Sequence, residues 1–444
     1  MTRSFRVAPG GRLSGSLRVP GDKSISHRSI MLGAIADGTT EVSGFLEGAD
    51  AISTMNVFRA LGVSIDGPHE GRVTVRGVGL DGLRGAARPL DCGNAGTGMR
   101  LLMGLLAGQA FESTLIGDES LSQRPMRRVA DPLTQMGARI ETRDGRPPVR
   151  ILPSGGLHGI RYAMPMASAQ LKSALLLAGL YASGETVVIE PAPTRDHTER
   201  MLGGFGVRVE RDGNQAAVRG GQRLRATSID VPADISSAAF FLVGASIAPG
   251  SDLTLEHVGM NPTRTGIIDI LRLMGADIAV LAPREVGGEP VADLRVRAAP
   301  LRGIAVPAEL VPLAIDEFPA LFVAAACAEG RTVVTGAEEL RVKESDRIAV
   351  MADGLRALGV DAAPTPDGMV IEGRGGEANV FGPGAVESHG DHRISMSFAM
   401  AALRAGGPLE IRDTANVGTS FPGFTALAAR AGLGIDDRQP QGSR

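Results

Sequence analysis

The chain contains no tryptophan, and only two tyrosines and 13 phenylalanines are present among its 444 residues. Surfaces that stack nucleic-acid bases depend on aromatic side chains, and a formal net charge of −3 lacks the basic excess of a nucleic-acid binder. No apolar run is long enough to span a bilayer, and the N-terminus lacks the apolar segment of a signal peptide. The sequence therefore predicts a cytoplasmic protein that binds neither nucleic acid nor membrane.

Cysteine is equally scarce, and two residues, Cys92 and Cys327, cannot form a disulfide framework or a four-cysteine zinc site. We interpret both as small core hydrophobes. The segment H-G-D-H-R at 389–393 carries two histidines and an acid, but Gly390 would interrupt a helix and Arg393 would oppose a cation. We therefore predict no metal site. The motif G-x-G-x-x-G at 77–82 is followed by a turn, whereas a dinucleotide-binding site needs a helix at that point. We therefore predict no dinucleotide-binding site.

Glycine, by contrast, is abundant at 60 residues, and six glycines mark an internal repeat. Each follows an amphipathic stretch and precedes a strand-like alternation, with spacings of 75, 69, 69, 84 and 73 residues. A period this regular indicates one supersecondary unit repeated six times. Glycine commonly lies just past a helix end, so each should separate a helix from the next strand. These landmark glycines are Gly62, Gly137, Gly206, Gly275, Gly359 and Gly432.

The pattern V-P-x-D occurs twice, at 19–22 and 231–234, with three landmark glycines between the copies and three after the second. Chance explains the tetrapeptides alone, but it does not explain their agreement with a three-plus-three division. Because 444 residues exceed what one hydrophobic core usually supports, we predict two domains joined by a two-strand hinge at these segments. One domain is residues 21–234, and the other is residues 1–20 with 235–444.

The segment G-D-K-S-I-S-H-R at 21–28 concentrates groups that bind anions. Lys23, Arg28 and two serines lie at an expected helix N-terminus, where backbone N–H groups already favour negative charge. A solvated helix start with a serine cap would explain this segment alone. Four of six equivalent helix starts, counted back from the landmark glycines, also carry arginine, and in a shared cleft they would converge on a small polyanion. These are Arg124, Arg195, Arg264 and Arg347.

Two further segments carry acids beside apolar or basic residues, where a carboxylate can have a chemical role. Asp316 lies between two apolar runs, where a carboxylate either pairs with a cation or acts as a base, a helix cap being the alternative. The segment K-E-S-D-R at 343–347 would in isolation be a solvated turn. The glycine-rich loop N-A-G-T-G at 94–98 either lets backbone approach a ligand or has a purely structural role.

Nine motifs, in order along the chain, resemble those of the EPSP synthase (3-phosphoshikimate 1-carboxyvinyltransferase) family. They are G-D-K-S-I-S-H-R at 21–28, G-N-A-G-T-G at 93–98, Q-R-P-M at 123–126, M-A-S-A-Q at 166–170, T-R-D-H-T at 194–198, N-P-T-R-T-G at 261–266, I-D-E-F-P at 315–319, R-V-K-E-S-D-R at 341–347 and D-H-R at 391–393. The resemblance implies an α/β fold of two inside-out, prism-like barrel domains, each built from three βαβαββ repeats.

The resemblance also implies a step of the shikimate pathway to the aromatic amino acids. The enolpyruvyl group of phosphoenolpyruvate would pass to the 5-hydroxyl of shikimate 3-phosphate, releasing phosphate, in a monomer without metal or organic cofactor. Two substrates bring two phosphates and two carboxylates, so such a site needs many cations.

Individual roles follow from the same resemblance. The ligands of shikimate 3-phosphate would be Lys23, Ser24, Arg28, Ser168, Ala169, Gln170, Arg195, Asp316 and Lys343. Those of phosphoenolpyruvate would be Lys23, Asn94, Gly96, Arg124, Gln170, Arg347 and Arg393. Asp316 resembles the base that takes the 5-hydroxyl proton and Glu344 the acid that protonates the methylene carbon, with Lys23 as a third catalytic group.

The chain departs from the commonest family pattern at T-S-F-P, residues 419–422, where many members have a lysine, and at Glu339, where many have asparagine. With M-A-S-A-Q and T-R-D-H-T, these departures resemble the second bacterial class, which includes glyphosate-tolerant enzymes. The rival UDP-N-acetylglucosamine enolpyruvyl transferase shares the fold and donor, but its loop cysteine is absent from 116–123. A non-catalytic polyanion-binding protein is the alternative from another class, and Asp316 and Glu344 argue against it.

Overall fold

A computed structural model describes residues 3–439 and separates into two compact units. Unit 1 comprises residues 3–20, 233–284 and 290–439, and unit 2 comprises residues 21–232 and 285–289. The divisions after Pro20 and Pro232 lie within the two V-P-x-D segments, whose role as hinges stays a prediction. Residues 285–289, which the sequence interpretation assigned to the first domain, count with unit 2. The outermost parts of that predicted domain, residues 1–2 and 440–444, lie outside the described residues.

Short strands alternate with helices along the whole described chain. The strands are β1 Ser4–Val7, β2 Ser14–Leu17, β3 Asp37–Ser43, β4 Ser64–His69, β5 Arg72–Val78, β6 Leu90–Asp91, β7 Ser113–Ile116, β8 Arg139–Arg143, β9 Arg146–Leu152, β10 Arg161–Ala163, β11 Glu185–Ile189, β12 Val209–Asp212, β13 Gln215–Arg219, β14 Ser228–Asp230, β15 Asp252–Gly259, β16 Asp277–Val286, β17 Glu289–Arg297, β18 Glu329–Val334, β19 Ala362–Thr365, β20 Gly368–Arg374, β21 Gly384–Glu387, β22 Leu409–Arg412 and β23 Ile435–Arg438.

The helices are α1 Lys23–Ala34, α2 Ala49–Ala60, α3 Gly96–Ala107, α4 Glu119–Ser122, α5 Arg127–Gln135, α6 Ala169–Gly179, α7 His197–Gly204, α8 Ile235–Ile247, α9 Gly266–Leu273, α10 Phe318–Ala326, α11 Arg347–Ala357, α12 His392–Ala401, α13 Val417–Ser420 and α14 Phe424–Ala431. Short 3₁₀ helices cover Ala308–Leu310, Glu338–Val342 and Ala402–Arg404.

One pairing pattern recurs in the sheets of unit 2. β6 is parallel to β7, which is antiparallel to β9, which in turn pairs with β8, giving the order β6-β7-β9-β8. The order β10-β11-β13-β12 repeats it. In the third sheet, β14-β3-β5-β4, the first strand comes from the end of the unit. Each sheet with its helices is a βαβαββ repeat.

Two sheets of unit 1 have the same arrangement, and each includes an N-terminal strand among strands formed by later residues. β2 pairs in parallel with β15 in the sheet β16-β17-β15-β2, and β1 lies between β22 and β23 in the sheet β21-β22-β1-β23. The third sheet is β18-β20-β19. Residues 3–439 thus form three sheets in each unit, and the predicted α/β fold is confirmed.

The most apolar helices occupy the interior of each unit. Every residue of α8 and α10 is buried, and both helices pack on α12 in unit 1. In unit 2, α3 packs on α6, and both are apolar on almost all sides. A helix that is hydrophobic all round requires such a position, whereas β9 alternates exposed and buried residues as an outer strand does. No helix among residues 3–439 is long and apolar enough to cross a membrane.

The six landmark glycines share one backbone geometry, with φ between 81° and 118°. The residue after each glycine donates its N–H to the carbonyl five positions earlier, as Val63 does to Phe58 at 3.0 Å and Ala276 to Leu271 at 2.9 Å. This is the long hydrogen bond of the Schellman motif, which requires a left-handed residue just past the helix. The predicted position of these glycines is confirmed.

Cys92 and Cys327 are buried in the cores of units 2 and 1, as predicted. Burial raises the pKa of each thiol to about 12, which keeps both protonated near neutral pH.

Candidate active site

The anion-binding segment of unit 2 begins α1, and Lys23 is the first residue of that helix. Asp22 caps the helix, accepting the N–H of Ile25 at its Oδ1 at 2.8 Å. The ammonium of Lys23 forms an ion pair with Asp50, a buried acid in the first turn of α2. The predicted cation therefore pairs with a buried carboxylate to which the sequence analysis gave no role.

Arg28 is buried, and all three nitrogens of its guanidinium donate hydrogen bonds. Nε donates to Thr198 Oγ1 at 2.7 Å, Nη1 to the Ser24 carbonyl at 2.9 Å and Nη2 to Ser173 Oγ at 2.9 Å. Burial lowers the pKa of Arg28 to about 10, and the positive charge of Arg195 adds to this effect. The guanidinium is therefore fixed by α1, α6 and α7, with a second predicted cation close by.

Arg124, Asn94 and Gly96 come together at the start of α3. Arg124 Nη2 donates to Asn94 Oδ1 at 2.6 Å and to Ser120 Oγ at 3.2 Å, and Asn94 Nδ2 donates to Asp118 Oδ2 at 2.7 Å. A methyl group at Gly96 would lie 2.9 Å from Arg124 Nη1. The helix itself begins at Gly96, inside the glycine-rich segment 94–98.

Gln170 lies in the first turn of α6, next to Ala169, the first residue of that helix, and Ser168, its N-cap. Its Nε2 donates to Thr97 Oγ1 at 2.8 Å, and its Oε1 accepts from Arg100 Nη1 at 2.6 Å. Ser168 Oγ accepts the N–H of Leu171 at 3.3 Å. Buried Arg100 was missed by sequence reasoning, although an arginine within the apolar helix α3 was a signal for a partner.

The cations and acids predicted in unit 1 form a second cluster around Arg347, the first residue of α11. Arg347 Nη2 donates to Glu344 Oε2 at 2.5 Å, and its Nη1 lies 3.4 Å from Asp316 Oδ1. Its Nε donates to Asp391 Oδ2 at 2.8 Å. Burial opposes the charged form, but the three carboxylates outweigh it and raise the pKa of Arg347 above its ordinary value.

Lys343 and Arg393 complete this cluster. Lys343 Nζ lies 3.5 Å from Asp316 Oδ1 and 2.7 Å from Glu339 Oε1. Arg393 Nη1 donates to the backbone carbonyl of Asp316 at 3.0 Å. Three predicted cations thus contact one short segment that carries the predicted base.

The expectation of arginines at four equivalent helix starts needs correction. Arg347 does begin α11, but Arg124, Arg195 and Arg264 lie two or three residues before their helices. Arg264 also differs in its surroundings, because its buried Nη2 donates to Ser236 Oγ at 2.6 Å and Asp234 Oδ1 at 3.0 Å. It is therefore part of the interior of unit 1.

Sequence reasoning also missed Asp391, which is fully buried and caps α12 by accepting the N–H of Arg393 at 2.9 Å. The motif D-H-R at 391–393 could have identified this aspartate, but only Arg393 was assigned a role from it. Among residues 3–439, no group of three or more His, Cys, Asp or Glu residues is arranged to hold a metal ion.

Comparison with known proteins gives a consistent result. A family model described as EPSP synthase (3-phosphoshikimate 1-carboxyvinyltransferase) matches residues 7–427. A 3-phosphoshikimate 1-carboxyvinyltransferase of Alkalilimnicola ehrlichii is 69% identical over 439 residues, covering 99% of this chain and 98% of that protein. The corresponding protein of Methylococcus capsulatus is 67% identical over 433 residues, covering 97% of this chain and 98% of its own length.

The solved structures agree. EPSP synthase from Acinetobacter baumannii superposes with a TM-score of 0.91 at 58% identity, covering 99% of this chain and all of that one. The enolpyruvyl transferase NikO from Streptomyces tendae has a TM-score of 0.80 at 18% identity, covering 99% of this chain and all of its own, which shows a shared fold alone.

Fold and comparisons together define an α/β protein with the fold of the enolpyruvyl transferases. Within this class, the chain belongs to the EPSP synthase (3-phosphoshikimate 1-carboxyvinyltransferase) family. These relatives support that family over the rival UDP-N-acetylglucosamine enolpyruvyl transferase. Membership of the second bacterial class stays a prediction.

Proposed function

We propose that this protein transfers the enolpyruvyl group of phosphoenolpyruvate to the 5-hydroxyl of shikimate 3-phosphate and releases phosphate. Family membership supports the reaction, and one structural observation supports the assignment of its acid and base. Asp316 and Glu344 lie on separate segments and contact the same buried guanidinium, that of Arg347. An addition–elimination at the enol phosphate carbon of phosphoenolpyruvate needs two such groups, because one proton must be given and another taken.

The chemistry assigns one step to each carboxyl group. Glu344 would protonate the methylene carbon of phosphoenolpyruvate, which leaves an oxocarbenium-like centre on the adjacent carbon. The 5-hydroxyl oxygen attacks this centre while Asp316 takes its proton. Phosphate then leaves with the proton held by Asp316, and the ionised carboxylate of Glu344 takes a proton from the new methyl group, which restores the double bond and both starting carboxyl groups.

Arg347 would link substrate binding to the state of Glu344. Its Nη2 donates to Glu344 at 2.5 Å, so an anionic substrate group bound by Arg347 would compete for that hydrogen bond. The substrate's negative charge beside Glu344 would then favour the protonated carboxyl group that the first step needs. Binding of phosphoenolpyruvate would in this way prepare its own acid.

We further propose that the residues which the family resemblance singles out bind the two substrates of this reaction. Shikimate 3-phosphate would bind through Lys23, Ser24, Arg28, Ser168, Ala169, Gln170, Arg195, Asp316 and Lys343. Phosphoenolpyruvate would bind through Lys23, Asn94, Gly96, Arg124, Gln170, Arg347 and Arg393. A monomeric, cytoplasmic enzyme without metal or organic cofactor stays the expectation from the sequence.

The test is phosphate release measured with both substrates and with each one omitted. The proposal expects release only when both are present, with equimolar formation of 5-enolpyruvylshikimate 3-phosphate. UDP-N-acetylglucosamine in place of shikimate 3-phosphate should give none. A protein that binds both substrates without releasing phosphate would instead be the non-catalytic polyanion binder.

A further inference from the structure

Lys172 lies in α6, two residues after Gln170, and its side chain is completely buried. Its Nζ lies 2.9 Å from Glu190 Oε2, 2.8 Å from Glu199 Oε1 and 3.4 Å from the carbonyl oxygen of Thr194. An ammonium group has three N–H donors. Each of them therefore has one acceptor, and the ammonium group is satisfied without water.

These three acceptors surround one short connection. Glu190 directly follows β11, Thr194 lies within the connection, and Glu199 is in the first turn of α7. Residues 191–196, which include Arg195, therefore run between two carboxylates bound to the same cation. Thr194 Oγ1 also hydrogen-bonds Glu190, so the middle of the connection is attached to its start.

The same network reaches Arg28 through the neighbouring residues. Ser173 is the residue after Lys172 in α6, and Thr198 lies in α7, three residues after Arg195. Thr198 Oγ1 donates a hydrogen bond to Ser173 Oγ at 2.8 Å. Both hydroxyl groups accept hydrogen bonds from Arg28. The position of α7 relative to α6 thus fixes two predicted ligands of shikimate 3-phosphate, Arg28 and Arg195.

Stability alone is a weak reason for such a network. Burying charges costs several kcal/mol per ion, and replacing a buried ion pair by apolar residues of similar volume is often neutral or stabilising. Glu199 even keeps Oε2 without a hydrogen-bond partner among residues 3–439. What an apolar cluster could not supply is three directional contacts to the start, middle and end of one connection.

We infer that Lys172 is a positioning residue that holds Arg195 in place to bind the phosphate of shikimate 3-phosphate. This inference rests on the proposed function, because it takes Arg195 as a ligand of that substrate. It assigns Lys172 no contact with substrate.

The first variant combines Lys172→Met with Glu190→Gln. Lys172→Met alone would leave two buried carboxylates together, whereas the double change leaves Glu199 with Arg211 Nη1 at 3.0 Å. We expect the Kd for shikimate 3-phosphate, measured by calorimetry, to rise about tenfold or more, since small misplacements of a binding group are costly. The KM for phosphoenolpyruvate should change less than about twofold.

Glu190→Gln alone is the milder variant if the double variant does not fold. It keeps the side-chain shape and removes one of two buried negative charges, so the protein should fold and lose affinity in the same direction. The matched control is Arg150→Met, which also removes a cation held by two carboxylates, Glu112 and Glu141, but on an exposed strand. Affinity for shikimate 3-phosphate should be unchanged in this control.

The decisive measurement repeats each change in an Arg195→Met background. If Lys172 acts through Arg195, the further loss of affinity there should be less than about twofold, because coupled residues are not additive. Equal losses in both backgrounds, or unchanged affinity in the folded variants, would overturn the inference and leave the proposed function intact. An unsubstituted protein that binds no shikimate 3-phosphate would contradict the proposed function, and the inference with it.

Discussion

Arg347 and Asp391 form a buried ion pair in unit 1, with Nε of the arginine 2.8 Å from Oδ2 of the aspartate. The arginine side chain is 1% exposed and the aspartate 0%. Asp391 also caps α12, whose second residue is Arg393. One carboxylate therefore orients one predicted phosphoenolpyruvate ligand and begins the helix that carries another.

Asp391→Asn should raise the KM for phosphoenolpyruvate more than the KM for shikimate 3-phosphate. Asparagine can still cap α12, but it cannot balance the charge of Arg347, which would move toward Glu344 and Asp316. We expect an increase of about tenfold or more, since removing one partner of a buried charge pair costs several kcal/mol. Steady-state kinetics with urea unfolding would check this, and equal effects on both KM values would argue against specific orientation of Arg347.

Asp316→Ala and Glu344→Gln should each lower kcat by roughly 10²- to 10⁴-fold, the usual contribution of a positioned acid or base. Both side chains are partly exposed, at 14% for Asp316 and 29% for Glu344, so folding should survive. Circular dichroism and substrate binding would establish a folded protein before rates are compared. Turnover near the unsubstituted rate in either variant would remove that residue from the mechanism.

The repeats could be predicted from the sequence because a helix followed by a left-handed residue leaves a local signal. Gly62 and its five counterparts need positive φ, and glycine adopts it without a steric penalty. The insertion of β1 between β22 and β23 could not be predicted in this way. Strand pairing across more than 400 residues leaves no trace in a local pattern.

The candidate active site shows the same limit of prediction from local sequence patterns. Motif residues such as Arg28 and Arg347 could be identified individually, whereas the buried partners that fix them come from other segments. Arg264 shared the sequence position of the other arginines yet pairs with Asp234 and Ser236 in the interior. Lys172 did carry a signal, because a lysine within the apolar helix α6 implies buried counter-charges.

His27 should make the protein less stable at mildly acidic pH. Burial, with the nearby charge of Lys23, lowers the pKa of His27 from 6.5 to about 3. Its Nδ1 lies 2.7 Å from Thr54 Oγ1, and within the described chain its buried Nε2 has no hydrogen-bond partner. As the pH falls below 6.5, His27 becomes protonated in the unfolded chain but stays neutral in the folded protein. The free energy of unfolding therefore decreases between about pH 6.5 and 3.

At pH 5 the loss from this residue should be about 2 kcal/mol, because each pH unit below the unfolded pKa contributes about 1.4 kcal/mol. Urea unfolding of the unsubstituted protein and of His27→Gln, each at pH 7 and pH 5, isolates the effect. Glutamine does not titrate, so its variant should lose about 2 kcal/mol less between the two pH values. Identical losses would show that His27 is not protonated on unfolding.

Gly96→Ala should weaken binding of glyphosate more than binding of phosphoenolpyruvate. In the family, glyphosate competes with phosphoenolpyruvate, and it is the longer of the two anions. The added methyl would lie 2.9 Å from Arg124 Nη1 and 3.6 Å from Arg100 Nη1, so the Arg124 guanidinium must shift away. A longer anion that spans this space loses more contact than a shorter one.

The unsubstituted protein, with glycine at this position, should be inhibited competitively with phosphoenolpyruvate. Gly155→Ala is a matched control in the same unit, because a methyl group there meets nothing within 4 Å and the backbone is not left-handed. We expect the glyphosate inhibition constant to rise at least tenfold more than the KM for phosphoenolpyruvate in Gly96→Ala, about 1.4 kcal/mol of discrimination. Indifference of the unsubstituted protein to glyphosate far above that KM would mean that Gly96 does not control access. Arg195, Glu339 or Thr419, which distinguish this chain from the commonest family pattern, would then have to shape the pocket.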